Sequence, residues 1–505
     1  MLNSGVPSTS FRLWAILALM ALIGVVIFVP VRIVALGYMP EDDAGRHIGK
    51  AVSGKSWNEI LVMRPEITTD LHHGWDALLA FLHHQAGLSA HSLMTFSTAC
   101  CFILFAGVPL FFIKRPEAWI ATLGLLLVFT PAELGRFFLG RPFIVSTAVL
   151  AFVLLTWKNF NGKKTDFPHF IGFMCAMAAT SWLAPTAAYL FLIPLAGFAL
   201  ARQWRALARI TAGIVIGSVV GYAFTGHPID LAKDVFFTLR LAPDSNILSR
   251  MLVTEFMPRS ANLAVAAVIA AFIAVRLHRK TWSIAVIDNP VFWNIVSGLF
   301  LGFLVGRFWL DWGLVAAFVW IAGDLSLILE STLPFNSMKR FVAVVLLSVC
   351  FYIVITSDVQ SRWTSGVPRY FLKYDKTPAA EKAWFPDSGG IMYNDNMTLF
   401  YSTLFHNPHA PWKYVLGFEP VLMKPDDLAT YRNIQYSNCA EAAYFPWIKK
   451  MTAKDRMALY SEKMPQIEGL EWKCFNRYIW LGRLPGAAVR DTAVSNSNQR
   501  LEKPR

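Results

Sequence analysis

Long apolar runs and short polar breaks alternate along most of the chain. From Leu13 to Ile355, continuously apolar stretches of roughly 15 to 25 residues recur, and a helix of about 20 apolar residues is what crosses a hydrocarbon core about 30 Å thick. A transmembrane β-barrel would instead alternate apolar and polar positions in segments of about ten residues. The pattern predicts about eleven membrane helices, near 13–37, 93–113, 117–132, 142–157, 168–184, 186–200, 210–225, 262–277, 288–306, 309–329 and 339–356. Several have only about 16 residues, which places their polar neighbours at the membrane interfaces. The stretch 168–200 would be about 50 Å long as one helix. Pro185 interrupts it and both flanks are basic, so it is counted as a hairpin of two spans. The first run, from Leu13 through Val31, exceeds the roughly 7 to 15 residues of a signal-peptide core and reads as an uncleaved anchor.

The distribution of basic residues orients these spans. With the N terminus in the cytoplasm, Lys114/Arg115, Lys158/Lys163/Lys164, Arg202/Arg205/Arg209, Arg276/Arg279/Lys280 and Lys339/Arg340 all fall on the cytoplasmic side. The outer face then receives a loop at 38–92, a loop at 227–260 and everything after 356. Residues 357–488 mix strand-like pieces, Gly390 to Tyr393 and Tyr478 to Leu481, with helical and turn-rich segments, and so predict a small extracytoplasmic α/β domain. Residues 489–505 are polar, without an apolar pattern, and are expected to be a disordered tail. Residues 1–356 form the membrane domain in this reading.

Composition agrees with the pattern and excludes a soluble enzyme. Of 505 residues, 55% are hydrophobic and only 16% charged, with a mean hydropathy of +0.45, against about 25% charged in soluble proteins. The net charge of +13 does not point to nucleic acid, since many of the basic residues sit in short clusters that membrane orientation explains. Cys100, Cys101, Cys175 and Cys350 lie inside apolar runs as packing or lipid-facing residues. Cys439 and Cys474 are either a disulfide, which an oxidising outer compartment permits, or two free thiols.

Candidate chemistry gathers at the outer surface. Directly after the first span comes Glu41-Asp42-Asp43, followed by Arg46, His47 and Lys50. Adjacent carboxylates repel one another, which favours a cation or a proton-accepting role; the alternative is that Asp42 or Asp43 caps the helix that follows. Farther along the loop, Leu71, Trp75, Leu78 and Leu82 share one helical stripe, with His72, Asp76 and His83 on another. This predicts an amphipathic helix in the membrane interface; His72 and Asp76, one turn apart, also have metal-ligand spacing.

An acidic pair just after the first membrane helix, an amphipathic helix in the first outer loop, about eleven spans and a C-terminal outer domain together resemble the GT-C fold of bacterial membrane glycosyltransferases. Thr130-Pro131-Ala132-Glu133, Gly140-Arg141-Pro142 and the segment from Trp384-Phe385-Pro386 to Asp395 add to the likeness. The resemblance implies a mainly α polytopic membrane protein with a C-terminal α/β domain, placed in the bacterial inner membrane and serving cell-envelope glycan synthesis. The enzyme it implies moves a sugar from a polyprenyl-phosphate carrier to a lipid, glycan or protein acceptor at the outer face. A first-loop aspartate acts in such enzymes as base or metal ligand, a role that maps onto Asp43 or Asp42, with Glu133 assisting or sharing a divalent cation, Mg or Mn. The motif here is Glu-Asp-Asp, which leaves the working carboxylate ambiguous.

Physical logic reaches the same residues. Glycosyl transfer from a lipid phosphate needs a carboxylate to take the acceptor's proton and fixed positive charge for the departing phosphate. Arginine suits the second task, because its planar fork donates paired hydrogen bonds. Arg136, Arg141 and Arg307 fall in short outer loops against the positive-inside tendency, and Arg46 and Lys50 lie in the first loop, so these five are the expected donor-phosphate ligands. For Arg307 the competing reading is an intrahelical pair with Asp311 one turn on. A polyprenyl-diphosphate-dependent ligase or polymerase would share the scaffold but calls for a metal or a denser arginine cluster. A transporter would place ionisable groups near the midplane, and Asp324 is the main one inside a predicted span.

Overall fold

A computed structural model describes residues 10–40, 42–67, 69–129, 131–162, 166–185, 191–241, 257, 263–278, 289–364 and 371–486. Glu41, Thr130, most of the loop beyond 241 and the expected tail at 489–505 lie outside them. The described chain divides into two compact units. One comprises residues 1–52 and 66–368; the other comprises 53–65 and 369–505. In this division a piece of the first outer loop belongs with the C-terminal unit.

The described elements of the first unit are helices. Its helices in chain order are α1 (Ser10–Ala35), α2 (Ala44–Ser53), α3 (His73–His84), α4 (Ala90–Gly107), α5 (Pro116–Phe129), α6 (Pro131–Arg136), α7 (Phe143–Asn161), α8 (Phe167–Leu183), α9 (Leu192–Leu200), α10 (Trp204–Ala223), α11 (Pro228–Leu241), α12 (Leu263–His278), α13 (Pro290–Gly302), α14 (Leu314–Thr332) and α15 (Met338–Thr356). Six described helices are long and apolar enough to cross a membrane, those within Leu13–Ala35, Ala90–Phe111, Phe143–Asn161, Trp204–Ala223, Gly306–Thr332 and Met338–Thr356. Four shorter apolar helices, α5, α8, α12 and α13, fill the remaining predicted runs, and α9 covers part of the run at 186–200. Each predicted span thus coincides with a helix, and the protein is a multi-pass membrane protein.

Two ion pairs tie helices of this unit together. Asp324 of α14 accepts from Arg276 of α12, at 2.8 Å from Nε and again from Nη2, so the carboxylate that a transporter would use is neutralised. At the end of the bundle carrying the basic connections, Glu117 accepts from Arg340 at 2.8 and 2.7 Å, both residues being 3% exposed. That pair ties α5 to α15.

The second unit is built on a five-stranded sheet of order β2-β1-β3-β5-β4, with β1 Ile391–Asn394, β2 Lys413–Tyr414, β3 Arg456–Tyr460, β4 Glu471–Cys474 and β5 Ile479–Arg483. β1 runs parallel to β2 and β3, and the β3–β5 and β5–β4 pairs are antiparallel. The segment 53–65 joins this unit by backbone pairing: Leu61 bridges Tyr414 in parallel, Met63 bridges Met423 antiparallel, and Arg64 Nε donates to the Met423 carbonyl at 3.0 Å. The strands expected at 390–393 and 478–481 are β1 and β5, displaced by a residue or two. Cys439 and Cys474 are both free thiols.

Candidate functional site

Asp43 stands at the start of α2, where its carbonyl accepts from the backbone N–H groups of Arg46 and His47, both at 3.1 Å. Its side chain turns to two arginines. Oδ1 accepts from Arg46 Nε at 2.9 Å, and Oδ2 lies 3.3 Å from Arg141 Nε. Arg141 also donates through Nη2 to Asp42, and so bridges the two adjacent carboxylates whose mutual repulsion the sequence makes costly. Burial opposes ionisation of Asp43, but the Arg141 and Arg46 guanidiniums outweigh it and hold the carboxyl well below the usual range. Asp43 is an anion at working pH.

Local backbone geometry aims Arg141. Gly140 has φ +65°, and a Cβ there would meet Ser97 and Thr98 of α4 at 3.2 and 3.3 Å. Only glycine supplies that turn between α6 and α7 without strain. The Arg141 carbonyl is within 3.3 Å of the Cys101 thiol of α4.

A second arginine centre lies on the same connection. Arg136, at the end of α6, donates to Asp311 from Nε at 3.1 Å and from Nη2 at 2.6 Å. Arg307 Nε donates to the other Asp311 oxygen at 2.9 Å. Asp311 is 2% exposed and sits in a π-helical turn, Trp309–Gly313, immediately before α14. The Phe143 ring joins the two centres, with the Arg136 guanidinium 4.6 Å and that of Arg141 5.9 Å from its centroid. Gly306, next to Arg307, donates its N–H to the Met257 carbonyl at 3.0 Å.

Behind Asp43 lies a buried polar layer. Lys50 is held by Asp70 and, at 3.1 Å, by Asp76. His47 Nδ1 is 2.5 Å from Asp76 Oδ1, and the His47 and His72 rings meet edge to face at 4.9 Å. Burial first, then the Arg46 charge, lowers both imidazoles well below their ordinary value, so both are neutral. Thr69 donates from its N–H and hydroxyl to Asp234 of α11 at 2.8 and 2.7 Å, and Leu71 packs on Leu231 and Val235. The two outer loops are thereby clasped together.

The expected residues sort into two clusters and two outliers. Asp42, Asp43, Arg46 and Arg141 converge in one ion-paired cluster, and Arg136 and Arg307 in the other. Lys50 instead neutralises Asp70 and Asp76 and braces the loop. Glu133, one turn before Arg136 on α6, is 9% exposed and has no ion pair or hydrogen bond among the described residues. The donor set does not fit the expected divalent cation: two guanidiniums already occupy the Asp43 carboxylate, and no group of three His, Cys, Asp or Glu side chains converges among the described residues. Sequence reasoning assigned no role to His47 or Asp70. It read Asp76 as an interfacial or metal-spaced group, whereas Asp76 is 4% exposed and paired to Lys50 and His47.

A polytopic helical unit together with a C-terminal sheet unit is the make-up of the GT-C fold. Two crystal structures of ArnT from Cupriavidus metallidurans share it. The one bound to undecaprenyl phosphate superposes with a TM-score of 0.56 at 12% identity, covering 95% of this chain and 98% of that one. The apo state gives 0.54 at 12% identity, covering 93% and 97%. No protein-family model matches the sequence, and no curated protein does.

Proposed function

We propose that the protein is a bacterial inner-membrane glycosyltransferase that moves a sugar from a polyprenyl-phosphate carrier to an acceptor on the outer face. The observation that carries this reading is an ionised carboxylate, Asp43, linked through Arg141 and the Phe143 ring to Arg136, which shares Asp311 with Arg307. Those are the two halves the chemistry needs. The ArnT neighbour bound to undecaprenyl phosphate has the same fold, which supports a carrier of that class.

In this mechanism the donor's phosphodiester lies against Arg136 and Arg307. The acceptor's hydroxyl or amine hydrogen-bonds to Asp43 and attacks the anomeric carbon as the bond from that carbon to the phosphate oxygen breaks. The electron pair leaves with the phosphate, whose growing charge the guanidiniums stabilise. The proton passes to Asp43 as the new bond forms; a carboxylate this acidic takes it late, when the acceptor atom has become strongly positive. One displacement inverts the anomeric centre, as direct attack on a glycosidic carbon does. Arg46 and Arg141 orient the base, and Glu133 is the candidate second carboxylate. The N terminus is cytoplasmic and the sheet unit extracytoplasmic in this reading.

The test is transfer in proteoliposomes supplied with polyprenyl-phosphate sugars and envelope lipid or glycan acceptors, with products identified by mass spectrometry. Transfer that needs Asp43 supports the proposal. Absence of both lipid binding and transfer across the donor panel overturns it.

A further inference from the structure

Three phenylalanines lie between the end of α6 and the start of α7, and they face different partners. The Phe137 ring stacks on Phe105 at 4.3 Å and that of Phe138 on Phe102 at 4.5 Å, all four being buried apolar side chains. Phe143, the first residue of α7 and 9% exposed, meets no aromatic ring among the described residues. Over its ring stand the guanidiniums of Arg136 and Arg141 instead, 4.6 and 5.9 Å from the centroid. The backbone fixes the ring's place: Gly140 turns at φ +65°, and Pro142, directly before the ring, locks φ at −63°.

The negative face of an aromatic ring attracts a cation, and the attraction strengthens when both are shielded from water. It also differs in kind from an ion pair. A carboxylate holds a guanidinium by accepting its N–H bonds, as Asp311 does from Arg136, and each bond accepted is one fewer of the five donors for another anion. A ring face holds the cation through its π electrons and leaves more of those donors to a phosphate. Of the two contacts, the one to Arg136 is the closer, while that to Arg141 lies near the limit of about 6 Å at which such contacts count. The ring therefore acts chiefly on Arg136.

We propose that Phe143 is a positioning residue for donor binding: the negative face of its ring holds the Arg136 guanidinium in place for the carrier phosphate. The inference rests on reading Arg136 as a donor-phosphate ligand. It separates two properties of the side chain, since a ring that merely filled space would act through its shape, whereas this one acts through the charge of its face.

The experiment places mono-, di- and trifluorinated phenylalanine at position 143 of the full chain, which nearly keeps the ring's shape while draining its negative face, and adds Phe143→Leu. Affinity for undecaprenyl phosphate, which presents to Arg136 the phosphate that stays on the carrier, is measured in detergent by native mass spectrometry, with circular dichroism to check that each variant is folded. Affinity should fall step by step with the number of fluorines, by about three- to tenfold over the series, the size expected of a partly desolvated cation–π contact. Phe143→Leu should lose at least as much. A flat fluorine series in folded protein overturns the inference, and so does a loss confined to Phe143→Leu, which would assign the effect to shape alone. If Phe143→Leu does not fold, the fluorine series decides by itself. Wild type that does not bind undecaprenyl phosphate overturns the donor-site reading and the inference with it, a result distinct from a flat series.

Discussion

Arg141 Nε lies 3.3 Å from the Asp43 carboxylate, although 97 residues and two membrane passages separate them in sequence. The contact joins the turn after α6 to the start of α2 and keeps Asp43 ionised without leaving it solvated. Asp43→Asn removes the proton acceptor while retaining the size of the side chain. Transfer should fall by about 100- to 10,000-fold, with polyprenyl-phosphate binding largely retained; initial rates and a lipid-binding titration on the same preparation check this.

Gly140→Ala tests the turn that aims Arg141. An alanine at φ +65° costs about 1–2 kcal/mol, and its Cβ presses on Ser97 and Thr98. Melting temperature should drop modestly, and transfer should fall further than the loss of folded protein explains. Equal losses in both would mean that Arg141 does not need this placement.

The buried imidazoles predict a pH dependence of stability. His47 and His72 have folded values lowered below the ordinary 6.5. Above about 6.5 both states are neutral and the pair costs nothing. As pH falls below that value the unfolded chain takes up protons that the folded chain refuses, so stability declines with a slope approaching two protons. Asp43 adds a loss of the same sign only below about 3.9, where its lowered folded value leaves the unfolded carboxyl protonated first. Thermal melts between pH 7.5 and 5 should show the decline, and His72→Asn should remove about one proton of its slope.

The Glu117–Arg340 pair predicts a large, purely structural effect. Removing one partner of a buried ion pair strands the other, at a cost of about 3–5 kcal/mol. Glu117→Gln should therefore lower thermal stability strongly while leaving the specific activity of the surviving folded protein intact. A melting temperature within a degree or two of wild type would show that water reaches the pair.

Chelation should not abolish transfer. Arg46 and Arg141 already supply the positive charge beside Asp43 that a cation would bring. Initial rates in excess EDTA are expected to match those without it.

The membrane architecture was legible because its signal is local: a run such as Val342 to Ile355 is apolar whichever way its helix packs. Arg136, Arg141 and Arg307 were legible for a related reason, since a cation in an outer loop stands against the orientation tendency. The partners of these residues were not. Asp311 was readable only as the residue one turn after Arg307, and its bonds to Arg136 span 175 positions. Asp76 carries the same helical spacing whether it faces water or Lys50, and nothing within α3 reveals that α2 lies against it. The placement of 53–65 in the sheet unit escaped for the same reason, as it depends on pairing with Tyr414 and Met423.

That last pairing has a consequence for biosynthesis. Residues 53–65 leave the ribosome about 350 residues before Tyr414, so this segment waits through the insertion of nearly every membrane helix before its sheet partner exists. A chain released early, anywhere before β2, keeps Leu61 and Met63 exposed with their backbone groups unpaired. The same strip that completes the finished unit thus marks an unfinished chain, and quality-control proteases that recognise unpaired apolar backbone would find it there.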